Sequence, residues 1–126
     1  MSRKIWEING LSLELDLEDV ETLERYEDAF AKMAEDEKAI PKEGKKSAVI
    51  RAYCEMYRRL YDRLFGEGTS DKIFADTRLN AEAYENVYFS FLEFAHNQAD
   101  LSSKRKAEML MKYKPQNRQQ RRAVKK

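Results

Sequence analysis

Asn9-Gly10, flanked on both sides by alternating apolar residues, constrains this chain more than any other dipeptide in it. Asn-Gly is the preferred central pair of a type I′ two-residue turn, in which both residues need positive φ. The spacing predicts a β-hairpin within residues 1–17 that sets Ile8 opposite Leu11, Trp6 opposite Leu13 and Lys4 opposite Leu15. Side chains alternate along a strand, so Trp6, Ile8, Leu11, Leu13 and Leu15 share one face. Glu7, Ser12 and Glu14 take the other, with Ile5 the exception. Two strands alone are marginal in water, so the leucine face must lie on something, and the rest of the chain reads as helices.

Asp16 is placed to N-cap a first helix, whose positive end suits Glu18, Asp19 and Glu21. At about 100° per residue, Leu23, Tyr26, Phe30, Met33 and Ala34 fall on one stripe, and the helix ends before Pro41. A second helix is predicted from about Lys46 to Phe65, with Gly66 suited to the position after it. Its apolar stripe (Val49, Ile50, Tyr53, Met56, Tyr57, Leu60, Tyr61, Leu64, Phe65) covers roughly half the circumference, with Arg51, Glu55, Arg58, Arg59 and Asp62 on the other half. Residues 66–70 read as a flexible link, and Asp71 to Phe74 as one short turn.

Asn80 can cap a third helix with the stripe Tyr84, Val87, Tyr88, Phe91, Leu92 and Ala95. Phe89 falls on its far side and Phe94 at the edge. The pattern weakens at His96-Asn97-Gln98 and resumes as a basic helical stretch from Ser102 to Tyr113, stopped by Pro115. Gln116 to Lys126 is polar and basic and is expected to be disordered. The expected architecture is mainly α: an N-terminal β-hairpin packed on a bundle of three main helices, with a basic C-terminal helix and tail. At 126 residues this suits a single domain over 1–100 followed by a basic extension over 101–126.

Several function classes have no support. No apolar run approaches the length of a membrane span, and the first residues contain no apolar signal segment, so a cytoplasmic protein is expected. A lone Cys54 cannot form an internal disulfide, and a single His96 cannot build a histidine metal site. Carboxylate pairs such as Asp16/Asp19 and Asp36/Glu37 read as solvated helix surface. Neither a glycine-rich phosphate loop nor a cysteine–histidine constellation accompanies them, and Gly66-Glu67-Gly68 reads as a turn. No catalytic residue, cofactor or metal is expected.

A net charge of +1 hides a division: residues 101–126 hold ten Lys/Arg against one acid, Glu108, while residues 1–100 hold fourteen bases against twenty-two acids. Lys104, Arg105, Arg118, Arg121 and Arg122 are candidate contacts either for phosphates or for an acidic protein face, which includes the acidic body of another copy. Seven Tyr and six Phe, mostly on two helices, exceed what a hairpin and three helices can bury, which points to self-association or a partner through Tyr57, Tyr61, Phe89 and Phe94.

The order of these landmarks is itself informative. The Trp-containing hairpin with Ile8-Asn9-Gly10 is followed by Tyr26-Glu27-Asp28-Ala29-Phe30, then Ile50-Arg51-Ala52-Tyr53-Cys54, Phe65-Gly66-Glu67-Gly68-Thr69-Ser70 and Ile73-Phe74. The basic end carries Asn117-Arg118-Gln119-Gln120-Arg121-Arg122-Ala123. This ordering resembles small tail assembly chaperones encoded by siphophages and prophages of Gram-positive bacteria. The resemblance implies a non-enzymatic oligomer in the host cytoplasm, absent from the mature virion. It would bind the tape measure protein and keep it soluble until tail tube subunits polymerise around it. The alternatives left open are a nucleic-acid accessory protein acting through the basic end and an adaptor docking that end on an acidic host protein.

Overall fold

In a computed structural model, residues 4–113 are described, and the expected tail contacts Arg118, Arg121 and Arg122 lie outside them. The elements are β1 (Ile5–Ile8), β2 (Leu11–Glu14), α1 (Val20–Lys38), α2 (Lys46–Phe65), α3 (Thr69–Ile73) and α4 (Ala81–Tyr113). The fold is mostly helical, with the antiparallel hairpin at its N-terminus. Trp6 faces Leu13 and Ile8 faces Leu11, and Leu15 N–H donates to Lys4 C=O at 2.7 Å, which is the register the turn dictates. Asn9 and Gly10 have φ of +48° and +81°, as a type I′ turn requires. Asn9 Nδ2 donates to Ile73 C=O at 2.8 Å, so the turn is tied to the far side of the core.

Trp6 is the element that joins the hairpin to the helices. Its indole stacks on Tyr61 and Phe65, at centroid distances of 5.6 and 6.0 Å, and meets the edge of Phe91 at 5.2 Å. Its Nε1–H donates to Ser90 Oγ at 3.1 Å, so the ring is buried without an orphaned donor. The breadth of the α2 stripe follows from this arrangement. One side of it faces α1, and the other is covered by the hairpin, with Phe74 behind.

Four details differ from the reading of the sequence. Asp19, not Asp16, caps α1, its carboxylate accepting from Thr22 N–H at 3.0 Å. Asp16 instead closes a turn before the helix by accepting from Glu18 N–H, because β2 needs that turn to redirect the chain into α1. The buried line of α1 runs through Ala29 and Met33, while Tyr26 and Phe30 lie half-exposed at its edge, each 6.3 Å from Phe91. The segment after α2 is held rather than loose: Asp62 accepts from Ser70 N–H at 2.8 Å and from Ser70 Oγ at 3.1 Å, and Thr69 and Ser70 are buried.

The fourth difference matters most for function. The third helix and the basic stretch form one helix, α4, of 33 residues, about 50 Å long. Asn80 caps it, accepting from Ala83 N–H at 2.9 Å. At the apparent break, Gln98 is buried and stays in line with Phe91 and Ala95. It accepts from Leu17 N–H at 2.5 Å and donates through Nε2 to Leu15 C=O at 2.9 Å, replacing the strand partners that β2 loses at its end. A polar residue therefore continues the packed face, and the helix has no reason to stop. Gln98→Leu keeps the volume but leaves two backbone groups without these bonds, and it is expected to cost about 2–4 kcal/mol. Urea unfolding checks this. A midpoint equal to the parent's would contradict the role assigned to Gln98.

Candidate partner-binding surface

Two surfaces flank α4. The first is an open groove of about 880 Å³ between the start of α1 and the second half of α4. Leu17, Leu23, Tyr26, Leu92 and Ala95 give it apolar lining, while His96, Ser102, Arg105 and Lys106 add polar and cationic groups. Its size is that of a site for a small molecule or a few side chains. Glu18 bridges the groove: its Oε2 accepts from Ser102 Oγ and from Arg105 Nη2. The Arg105 bond first, and then that from Ser102, hold the Glu18 carboxyl down to about 2. These are the contacts that fasten the basic half of α4 to the body.

The second surface is the side of α4 turned away from the core. Phe89 lies there 59% exposed, and further along the helix Met109, Leu110 and Met111 are each more than half exposed. Residues 103–112 are exposed throughout, so beyond Arg105 α4 projects as a helix with no neighbour among the described residues. Packing of an apolar face usually supplies most of a helix's stability, and residues 103–112 bury no such face among the described residues.

The candidate residues are therefore distributed unevenly. Tyr61 is fully buried, ringed by Trp6, Phe74 and Phe91, so it is a core residue and not available to a partner. Its position in the stripe could not reveal that the hairpin covers it. Tyr57 is half-buried, 4.9 Å from Tyr88, and burial pushes its hydroxyl up to about 12. Phe94 is half-buried against Phe91 at 6.1 Å. Phe89 alone of the four aromatic candidates is largely exposed. Lys104 is exposed and pairs with Asp100 at 3.3 Å, and Arg105 pairs with Glu18.

Sequence reasoning missed the groove. The periodic stripe assigns Leu23 and Tyr26 to the core, whereas both line the groove together with Leu17. The signal that could have found it was Gln98 itself, a polar residue on an apolar line where it must meet backbone. Arg58 was also missed as a packing residue. Its Nε donates to Tyr84 Oη at 3.0 Å and its Nη1 to Asp71 Oδ1 at 2.8 Å, and the guanidinium lies over the Phe74 ring. The Phe74 and Tyr84 rings stack at 3.8 Å. Arg58 thus clamps α2, α3 and α4 together, a structural role that its place on the polar half of α2 did not suggest.

Among the described residues no helix is long and apolar enough to cross a membrane, and no group of three or more His, Cys, Asp or Glu could hold a metal ion. Glu18→Gln is expected to loosen the basic half of α4 while leaving the thermal midpoint nearly unchanged. Faster tryptic cleavage at Arg105 and Lys106 checks this. The same fastening is expected to respond to acid. The folded-state value of Glu18 lies below its ordinary 4.5, so the contact contributes fully above pH 4.5 and is lost as pH falls through about 2. Cleavage as slow as the parent's would contradict the tether.

No curated protein matches this chain, and no solved structure does. Over residues 9–125, nearly its whole length, the chain matches DUF6673, a family of unknown function, and it belongs to that family.

Proposed function

We propose that this protein is a non-enzymatic phage tail assembly chaperone, which self-associates and sheathes the tape measure protein in the host cytoplasm until tail tube subunits replace it. The reading begins from the resemblance in the order of sequence landmarks. The observation that carries it further is the apolar surface that remains after the core is complete: Phe89, the Met109–Leu110–Met111 run and the groove lined by Leu17, Leu23 and Tyr26. A long helical cargo exposes apolar stripes that aggregate when bare, and repeated weak contacts of this kind can cover them and still be displaced. The cationic groups beside the groove suit acidic residues flanking such stripes.

This surplus is smaller than the aromatic count suggested, because Trp6 and Phe74 bury Tyr61 and much of the α2 stripe. It is concentrated on α4 and beside it. Co-expression is expected to raise the soluble yield of an aggregating tape measure fragment. An unchanged yield would count against the proposal.

The cluster Lys104, Arg105, Lys106 and Lys112 on the projecting half-helix favours the second reading, a nucleic-acid accessory protein. Against it, Lys104 and Arg105 already pair with acids, and the body is net negative. Gel shifts across a salt series separate the two. The chaperone reading expects no steeply salt-dependent binding, whereas a phosphate-binding surface would lose affinity with a log–log slope of about −0.9 per neutralised phosphate.

A further inference from the structure

The two halves of α4 carry opposite charge. Residues 81–100 contain Glu82, Glu85, Glu93 and Asp100 and no Lys or Arg, while residues 101–113 contain four bases and one acid, Glu108. Each half also exposes a large apolar side chain: Phe89 on the acidic half, where its ring meets only that of its neighbour Tyr88 at 6.3 Å among the described ring contacts, and Met111 on the basic half, each 59% exposed. With about 100° per residue, Phe89, Glu93, His96, Asp100, Lys104, Ala107 and Met111 fall on one outward side of the helix, opposite the buried line of Tyr84, Phe91 and Gln98. All seven are exposed.

We propose that two copies of this chain pair through this outer face, with their α4 helices antiparallel about a two-fold axis near residue 98. This rests on the self-association part of the proposed function and names the surface that carries it. In that register Phe89 of one copy lies over Ala107 of the other, in a hole bounded by Lys104 and Met111. The small Ala107 side chain leaves room for the ring, in the manner of a knob in a hole. Lys104, which pairs with Asp100 of its own helix at 3.3 Å, also lies beside Glu93 of the other copy, and His96 faces Asp100 across the axis. Sliding one helix by three residues would set Phe89 against Lys104 and bring Glu93 against Asp100. A parallel pairing would oppose acid to acid and base to base along the whole helix.

The contact also explains why α4 continues beyond the body. The projecting half of each copy lies along the body half of the other, so a stretch with no neighbour among the described residues gains one. The contact is isologous and closed, the same patch serving both copies. The groove meets this face only at His96, while the rest of its lining, including Ser102 and Arg105 on the inner side of α4, lies outside the pairing residues.

The test uses the full chain alone, with no other protein present. Sedimentation equilibrium across a concentration series is expected to show a monomer–dimer equilibrium. E93K and K104E each set like charges together, and each is expected to weaken dimerisation about tenfold. E93K/K104E in one chain restores opposite charges at both symmetric contacts and is expected to return within about threefold of the parent. F89S is expected to give a monomer with unchanged helical circular dichroism. Three results would overturn the proposal: a parent that stays monomeric, single variants that dimerise as the parent does, or a double variant whose losses add. Failure of the chaperone reading is separately visible as a dimer that does not raise the soluble yield of a tape measure fragment.

Discussion

Burial of the Trp6 indole among Tyr61, Phe65 and Phe91 is the contact on which the rest of the structure depends. A two-stranded hairpin is marginal by itself, and the half-circumference stripe of α2 has more apolar surface than α1 alone can cover. Trp6 resolves both problems at once. It places the hairpin over the exposed flank of α2 and fixes how far α4 sits from it. Asn9 at one end of the hairpin and Gln98 at the other then lock its position through backbone groups of Ile73, Leu15 and Leu17. The core is finished by residue 98, but the helix is not.

What the sequence made legible was local. The hairpin register could be read because a two-residue turn with Asn-Gly allows one pairing, and the bounds of α2 because Gly66 interrupts a periodic stripe. The stripe of α4 through Ala95 was readable for the same reason. What could not be read was which neighbour each face meets. Tyr61 occupies the flank of its stripe, a position equally compatible with core and with surface, and only the docked hairpin decides it. Asp16 and Asp19 are both sound capping residues, and the choice between them depends on how sharply β2 must turn. Gln98 looked like an interruption because polarity was read as exposure. Its amide is instead buried with backbone partners, the one arrangement in which a glutamine adds to a packed face.

The functional surface was legible only in outline. Excess aromatic area and a split of charge were both visible, but the first was overestimated and the second was placed between body and tail. The structure moves the division inside one helix. Acidic and basic halves of α4 share a face with Phe89 and Met111, and the groove, which adjoins that face at His96, carries the cations Arg105 and Lys106. The proposed pair and the groove are contacts of different kinds that share only His96. For the chaperone reading this means dimers as units, with cargo held by a surface of which pairing takes up only His96.

In the proposed pairing the projecting half of α4 is covered by a second copy. Amide hydrogen exchange of residues 101–112, followed from dilute to concentrated protein, tests it most directly. Protection rising with concentration in this segment, together with slower exchange around Phe89, is the expected result. Exchange that is equally fast at every concentration, while the core around Trp6 stays protected, would contradict it.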